Sequence, residues 1–225
     1  MLYFDPTYYI YMLPALLFGM WAQWRVSSSY NRYSQVPTAS GITGEQAAAL
    51  LMQRTGYTFG IAHIPGMLTD FYDPSKKTMF LSESSVQNSV ASVAVVAHEF
   101  GHGAQDVEGY MPMRLRGAIV PAVKVGSWVG PILFIIGLML SITQLAWAGI
   151  ILFSAAAVFA IVTLPVELNA SHRALYYLNS FGILSRDELP GAQDVLGAAA
   201  LTYLAGVAQV VLQLMYFISL LSRRR

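Results

Sequence analysis

The residues best suited to chemistry in this 225-residue chain are His98-Glu99-Phe100-Gly101-His102. On a helix, His98 and His102 lie one turn apart on a common face, close enough to share one metal ion. Neutral imidazoles suit Zn2+, which accepts tetrahedral geometry and keeps one position open for water. Glu99 projects beside the pair, where it can take a proton from that water. The ion lowers the pKa of the water and polarises a peptide carbonyl, and Glu99 passes the proton on to the leaving amine. The pattern predicts zinc-dependent peptide hydrolysis, with His98 and His102 as ligands and Glu99 as general base. The competing reading is a solvated helix face carrying two His by accident. The apolar run Val90–Ala97 directly before the motif speaks against it.

Two imidazoles alone make a poor site, so a third ligand is required. Downstream stand Asp106, Glu108, Glu167, His172, Asp187, Glu188 and Asp194. Asp106 shares the face of His102 but lies one turn too far along. Glu167 follows Pro165, which predicts a place in the first turn of a helix at the membrane exit of a span. A carboxylate there could simply complement a helix N-terminus, worth about 0.3–1 kcal/mol. A desolvated carboxylate gains far more from a divalent cation, so Glu167 is the expected third ligand. Hydrolysis also needs a donor for the developing oxyanion, and Arg173, His172 and Tyr176 are near enough in sequence. Arg173 is the candidate oxyanion stabiliser, and it is equally readable as a cation facing lipid headgroups. His63 reads as structural or exposed. An extended peptide could add to an edge strand by main-chain hydrogen bonds, with Lys77–Leu81 or Phe59–Ile64 as candidates.

The elements that must position these groups show in the distribution of charge. Apolar residues make up 56% of the chain and charged residues 11%, against roughly 25% charged in ordinary soluble domains. Mean hydropathy is +0.52, which fits a chain partly solvated by lipid. Low hydrophobicity and high net charge are both missing, so disorder is excluded. With no Cys there is no disulfide, thiolate metal site, iron–sulfur cluster or cysteine nucleophile. A net charge of +1 gives no reason to expect a nucleic-acid partner.

Uncharged stretches run from Pro6 to Trp24, from Val125 to Val166 and from Val195 to Ser222. About 20 apolar residues cross a bilayer core, so the middle stretch is long enough for two helices, joined near Ser141–Gln144. The count is about four transmembrane helices, with the first a membrane anchor rather than a cleaved leader, since no basic segment precedes it. Residues 25–124 carry eight basic and seven acidic side chains and form the soluble part. The expected organisation is an anchor over 1–24, an α+β metalloprotease domain over 25–124 and a helical hairpin over 125–166. A cytoplasmic helix over 167–194 would supply the third ligand, before a last span and basic tail over 195–225. The fold class is mainly α, with a small α+β zincin-like cytoplasmic domain. Basic residues cluster on the side of residues 25–124 and of Arg173 and Arg186, which makes that side cytoplasmic. The Arg223–Arg225 triplet dissents.

Within residues 25–124, a helix opens at Ser40–Gly44 and ends near Gly56. Tyr57–Ile64 and Lys77–Leu81 read as strands, with turns at Pro65-Gly66 and Asp73-Pro74. Ser84 with Gln87 reads as a capping box for a helix from about Ser85 to Gln105.

Three segments together carry a resemblance: Gly66-Met-Leu-Thr-Asp-Phe-Tyr-Asp-Pro74, His98-Glu-Phe-Gly-His102 and Leu164-Pro-Val-Glu-Leu-Asn-Ala-Ser-His-Arg-Ala174. The chain resembles the YugP-type neutral zinc metallopeptidases of bacterial membranes over nearly its whole length. The resemblance implies a multi-pass, gluzincin-like protease of the plasma membrane. His98, His102 and Glu167 would hold Zn2+, and Glu99 would act as base. Phe71 departs from the family, where His is common at this place. More distantly the chain is similar to HtpX-type proteases, whose ligand Glu is followed four residues later by Asp. Ser171 stands there in this chain, so Ser171, Asn169 or Asp106 must orient a ligand His instead. The expected partners are a peptide or membrane-protein substrate and the lipid bilayer. Two rivals remain. A site-2-type intramembrane protease would hold the His motif within the bilayer, but the chain has no Asp-Gly for that class's third ligand, and the apolar run before His98 is too short to cross. A non-catalytic membrane metal-binding protein would keep the two His and have no use for Glu99.

Overall fold

The computed structural model describes residues 5–223; Arg224 and Arg225 of the basic tail lie outside the described residues. The chain is mainly helical. Its helices are α1 (Pro6–Tyr33), α2 (Gly44–Thr55), α3 (Val90–Val107), α4 (Met111–Met139), α5 (Thr143–Ser180) and α6 (Leu189–Ser222). Between α2 and α3 come β1 (Gly60–His63), β2 (Phe71–Asp73), β3 (Thr78–Leu81) and a 3-10 turn at Glu83–Val86. The sheet order is β1-β3-β2. β1 runs parallel to β3, with Gly60 opposite Thr78, and β2 runs antiparallel to it, with Tyr72 opposite Met79.

Among the described residues, three helices, α4, α5 and α6, are long and apolar enough to cross a membrane. The fourth expected span, in α1, is not among them. Its stretch is free of charge but carries Tyr8, Tyr9, Tyr11, Pro14 and Gln23 among the aliphatics, and these lower its hydropathy. The hairpin joint falls where the sequence put it, between Met139 and Thr143.

The helix expected to restart after Pro165 does not restart. α5 continues through Pro165 to Ser180, so Glu167 lies in mid-helix and not in a first turn. A proline removes one backbone donor, which long helices of membrane proteins tolerate where neighbours satisfy the freed carbonyl.

The chain divides into two compact units. One takes the residues up to Ala22, then Arg114–Pro165 and those from Thr202 on; the other takes Gln23–Met113 and Val166–Leu201. In the first unit, α4 and α5 approach closely at glycines: a Cβ on Gly130 would lie 2.7 Å from the Phe153 nitrogen, and one on Gly149 would lie 2.5 Å from the Gly130 oxygen. Small residues allow such backbone approach in apolar surroundings. Phe134 stacks on Phe217 there at 4.2 Å between ring centroids.

The second unit has its core around Phe100, Leu51, Met79, Leu81, Val93, Val96, Val166 and Leu178, all essentially buried. α2 is the capping-box helix, since Thr43 and Gln46 cap each other's backbone N–H groups and Gly56 closes the helix in the left-handed region. The box expected at Ser84 and Gln87 is absent. Ser84 is buried and its hydroxyl accepts from the Leu68 N–H, so it has no helix to cap. α3 starts later, at Val90, where the Ser89 side chain accepts from the Ser92 N–H. Of the two expected edge strands, the one at Lys77–Leu81 is central (β3) and the one at Phe59–Ile64 is an edge (β1); the other edge is β2, whose last residue, Asp73, was expected in a turn. β2 is anchored to α3 by its side chain: the Tyr72 hydroxyl donates to Asp106 at 2.8 Å, as does the Lys77 ammonium at 2.5 Å. Asp194 of α6 accepts from Arg25 and Ser29 of α1, each at 2.7 Å.

Because Ser89 supplies the side-chain cap of α3, Ser89→Ala should destabilise the protein by about 1 kcal/mol. Thermal unfolding in detergent should show a melting point lower by roughly 2–4 °C; an unchanged transition would remove Ser89 as the cap.

Candidate metal centre

α3 presents His98 and His102 on one face because four residues make about one helical turn. Their rings stand edge to face, 4.7 Å apart between centroids. From α5, Glu167 reaches the same point: its Oε2 lies 3.2 Å from His98 Nε2 and 3.3 Å from His102 Nε2. One ligand atom from each of the three lies within 4.8 Å of the others, and all three side chains are nearly buried. Atoms about 2.0–2.1 Å from a common ion at tetrahedral angles lie roughly 3.3 Å apart, so the spacing fits a zinc-sized ion. Two imidazole nitrogens and one carboxylate are also the donor set that a catalytic zinc takes.

The close approach of α3 to α5 rests on Gly101. A Cβ there would lie 2.6 Å from the Ala170 carbonyl oxygen. Any larger residue at position 101 would push α3 away from the strip of α5 that carries Glu167.

Each imidazole is held from behind. Ser171 Oγ lies 3.1 Å from His98 Nδ1, so the residue that replaces the expected Asp does contact a candidate ligand. His102 Nδ1 is held by Gln105, at 3.0 Å from its Oε1. Sequence reasoning missed Gln105, although its position three residues after His102 places it on the same helix face. Asn169 touches neither His; its Oδ1 accepts from Gln105 at 2.9 Å and from Arg173 at 2.7 Å. Asp106 is committed to Tyr72 and Lys77.

Glu99 is buried, with 8% of its surface exposed, and its Oε2 accepts the Tyr72 backbone N–H at 2.8 Å. Burial pushes its carboxyl above the usual carboxylate range, and the charges of His102 and His98 work against that rise. Burial and the bond to Asp106 raise the Tyr72 phenol, which keeps it a donor.

The remaining candidates lie elsewhere. Arg173, the expected oxyanion donor, gives its Nε to Asn169 and its Nη1 to Glu108, each at 2.7 Å. The Arg173 guanidinium holds the Glu108 carboxyl below its usual range. His172 and Tyr176 are exposed on α5. Asp187 is exposed, Glu188 accepts from the Ala39 and Ser185 N–H groups, and Asp194 pairs with Arg25. His63 is exposed and pairs with Glu45 at 3.2 Å.

The family described as "Putative neutral zinc metallopeptidase" matches residues 8–222. The chain belongs to this family. Its members are described as zinc peptidases, and the buried His-His-Glu trio supplies a group that could bind the ion. The chain is also 40% identical over 208 residues to the "Putative membrane protease YugP" of Bacillus subtilis (strain 168), covering 92% of each. No solved structure matches the chain.

Gly101→Ala gives opposite expectations from two effects. Helix propensity alone would stabilise by roughly 1 kcal/mol, whereas overpacking against a backbone carbonyl costs about 1–3 kcal/mol. The clash should win, with lower stability and lower zinc content than wild type. A variant more stable than wild type with full zinc would show that α3 and α5 do not need this contact.

Proposed function

We propose that the protein is a zinc-dependent endopeptidase of the bacterial cell membrane that hydrolyses peptide bonds at its cytoplasmic face. The observation that carries this reading is the convergence of His98, His102 and Glu167 beside Glu99, within a zinc metallopeptidase family. His98, His102 and Glu167 would hold the ion. Bound there, zinc supplies Lewis-acid chemistry, acidifying water and polarising a peptide carbonyl. Glu99 takes the proton from the attacking water as the C–O bond forms, and delivers it to the amine nitrogen as the C–N bond breaks. The Tyr72 N–H fixes one oxygen of Glu99, which leaves the other for this transfer. The edge strand β2, whose backbone touches Glu99, is where an extended substrate backbone would lie. Arg173 serves this site through its hold on Asn169, since its Nε and Nη1 are already committed.

The cytoplasmic orientation rests on the excess of Lys and Arg in residues 25–124 and at Arg173 and Arg186. α1 is proposed as a fourth crossing on the strength of its 28-residue length and its uncharged stretch from Pro6 to Trp24. The substrate is a peptide or membrane protein, consistent with the printed name of the relative. The intramembrane alternative is disfavoured because the apolar run of α3 before His98, Val90–Ala97, is too short to cross a bilayer core.

Glu99→Gln should keep its metal and lose peptide hydrolysis by at least 10²–10⁴-fold, measured on purified, zinc-loaded protein. Substantial turnover in that variant would sink Glu99 as base. Glu167→Ala should lose both zinc and activity, and chelation of the wild-type protein should abolish turnover; full zinc and near-normal activity in Glu167→Ala would remove the third ligand.

Topology is testable because the chain has no Cys. Thr58→Cys and Asp187→Cys, both at exposed positions, should resist an impermeant thiol reagent in intact cells, while Gln144→Cys should react. Labelling of Thr58→Cys in intact cells would reverse the orientation.

A further inference from the structure

Gln105 is fully buried and both of its side-chain polar atoms are engaged. Its Oε1 lies 3.0 Å from His102 Nδ1, and its Nε2 donates to the Val166 carbonyl at 2.8 Å and to Asn169 Oδ1 at 2.9 Å. The two partners of Nε2 are oxygens that only accept: Val166 offers a main-chain carbonyl, and Asn169 Oδ1 also accepts from Arg173 Nε at 2.7 Å. The amide nitrogen must therefore face Val166 and Asn169, and the amide oxygen must face His102. An amide oxygen cannot donate. In the neutral ring His102 Nδ1 must then carry the proton, and Nε2 turns a lone pair toward the Glu167 carboxylate 3.3 Å away. A lone pair opposite a carboxylate is repulsive unless a cation lies between them.

His98 has no such constraint, because the Ser171 hydroxyl behind its Nδ1 can either donate or accept. The same Gln105 side chain also grips the carbonyl of Val166, the residue directly before Glu167. One amide thus sets the proton on one candidate ligand and the distance to another, 62 residues along the chain.

We propose that Gln105 is the positioning residue of the metal centre. It locks His102 in the Nδ1-protonated form and registers α3 against the strip of α5 that carries Glu167, with Asn169 and Arg173 as its backing. The proposal rests on the reading of His98, His102 and Glu167 as zinc ligands. A merely structural Gln105 would fill space and satisfy its own hydrogen bonds, with no effect on which ring nitrogen of His102 is protonated.

The test uses the full chain in detergent, with zinc affinity measured by chelator competition and ring tautomers by nitrogen NMR of labelled His. Only four His are present, so the His102 signals can be assigned with His102→Gln as reference. Gln105→Met keeps similar volume but cannot accept. It should lower zinc affinity by about 10–100-fold and leave metal-free His102 as a mixture of tautomers. Gln105→Glu keeps an acceptor for His102 and loses the donor to Val166. It should retain the single tautomer and recover part of the affinity. Wild-type zinc affinity with an unchanged His102 tautomer in Gln105→Met would overturn the proposal. If Gln105→Met does not fold, Gln105→Glu decides: a mixed His102 tautomer there overturns the proposal, and a single one supports it. The underlying metal reading fails separately, if the wild-type chain binds no zinc or Glu167→Ala binds it fully.

Discussion

Glu167 has only 4% of its surface exposed and lies between two imidazole nitrogens, at 3.2 and 3.3 Å. A carboxylate taken out of water without compensation costs several kcal/mol or more, so this burial is a constraint that the surrounding structure must answer. Two neutral imidazoles offer lone pairs, and with a divalent cation at their centre the three groups satisfy one another. Without it, at least one imidazole must turn a proton toward Glu167. The donor set, its spacing and its burial all point to the same resolution, and the family to which the chain belongs is one of zinc peptidases.

The constraint reaches outward through packing. Two helices from distant parts of the sequence must approach closely enough for Glu167 to meet the His pair. Gly101 permits that approach, since a side chain there would meet the Ala170 carbonyl. Phe100 anchors α3 between Phe59, just before β1, and Tyr177 of α5, at ring distances of 5.4 and 5.7 Å. The two residues between His98 and His102 that follow Glu99 thus have separate duties, one apolar anchor and one point of contact.

Glu99 is controlled from a third direction. Its contact is a backbone N–H of β2, so the position of the carboxylate depends on where that short strand lies. β2 is fixed by its pairing with β3 and by the Tyr72 and Lys77 bonds to Asp106. Asp106 sits on α3 two turns beyond Glu99. Glu99 and the strand that holds it are therefore fastened to the same helix, and a three-residue strand suffices where an isolated ribbon would be unstable.

The sequence by itself determined the His pair of a candidate metal site and a mainly helical architecture with long apolar helices. His98, Glu99 and His102 could be read together because helical periodicity is local: residues one turn apart share a face whatever the rest of the chain does. Long uncharged stretches could be read because lipid tolerates few charges, and α4, α5 and α6 follow them. The need for a third ligand, and Glu167 as its best candidate, also followed from local reasoning, although Pro165 misled it about where a helix begins. Only the tertiary structure decided the rest. That Gln105 backs His102 depends on the Val166 and Asn169 oxygens, more than 60 residues away, and no local rule brings these together. The commitment of Arg173 to Glu108, the edge position of β2 and the start of α3 at Val90 arise in the same way. Each is set by which distant partner a side chain or backbone group finds once apolar packing has fixed the neighbours, and spacing along the chain carries no record of that choice.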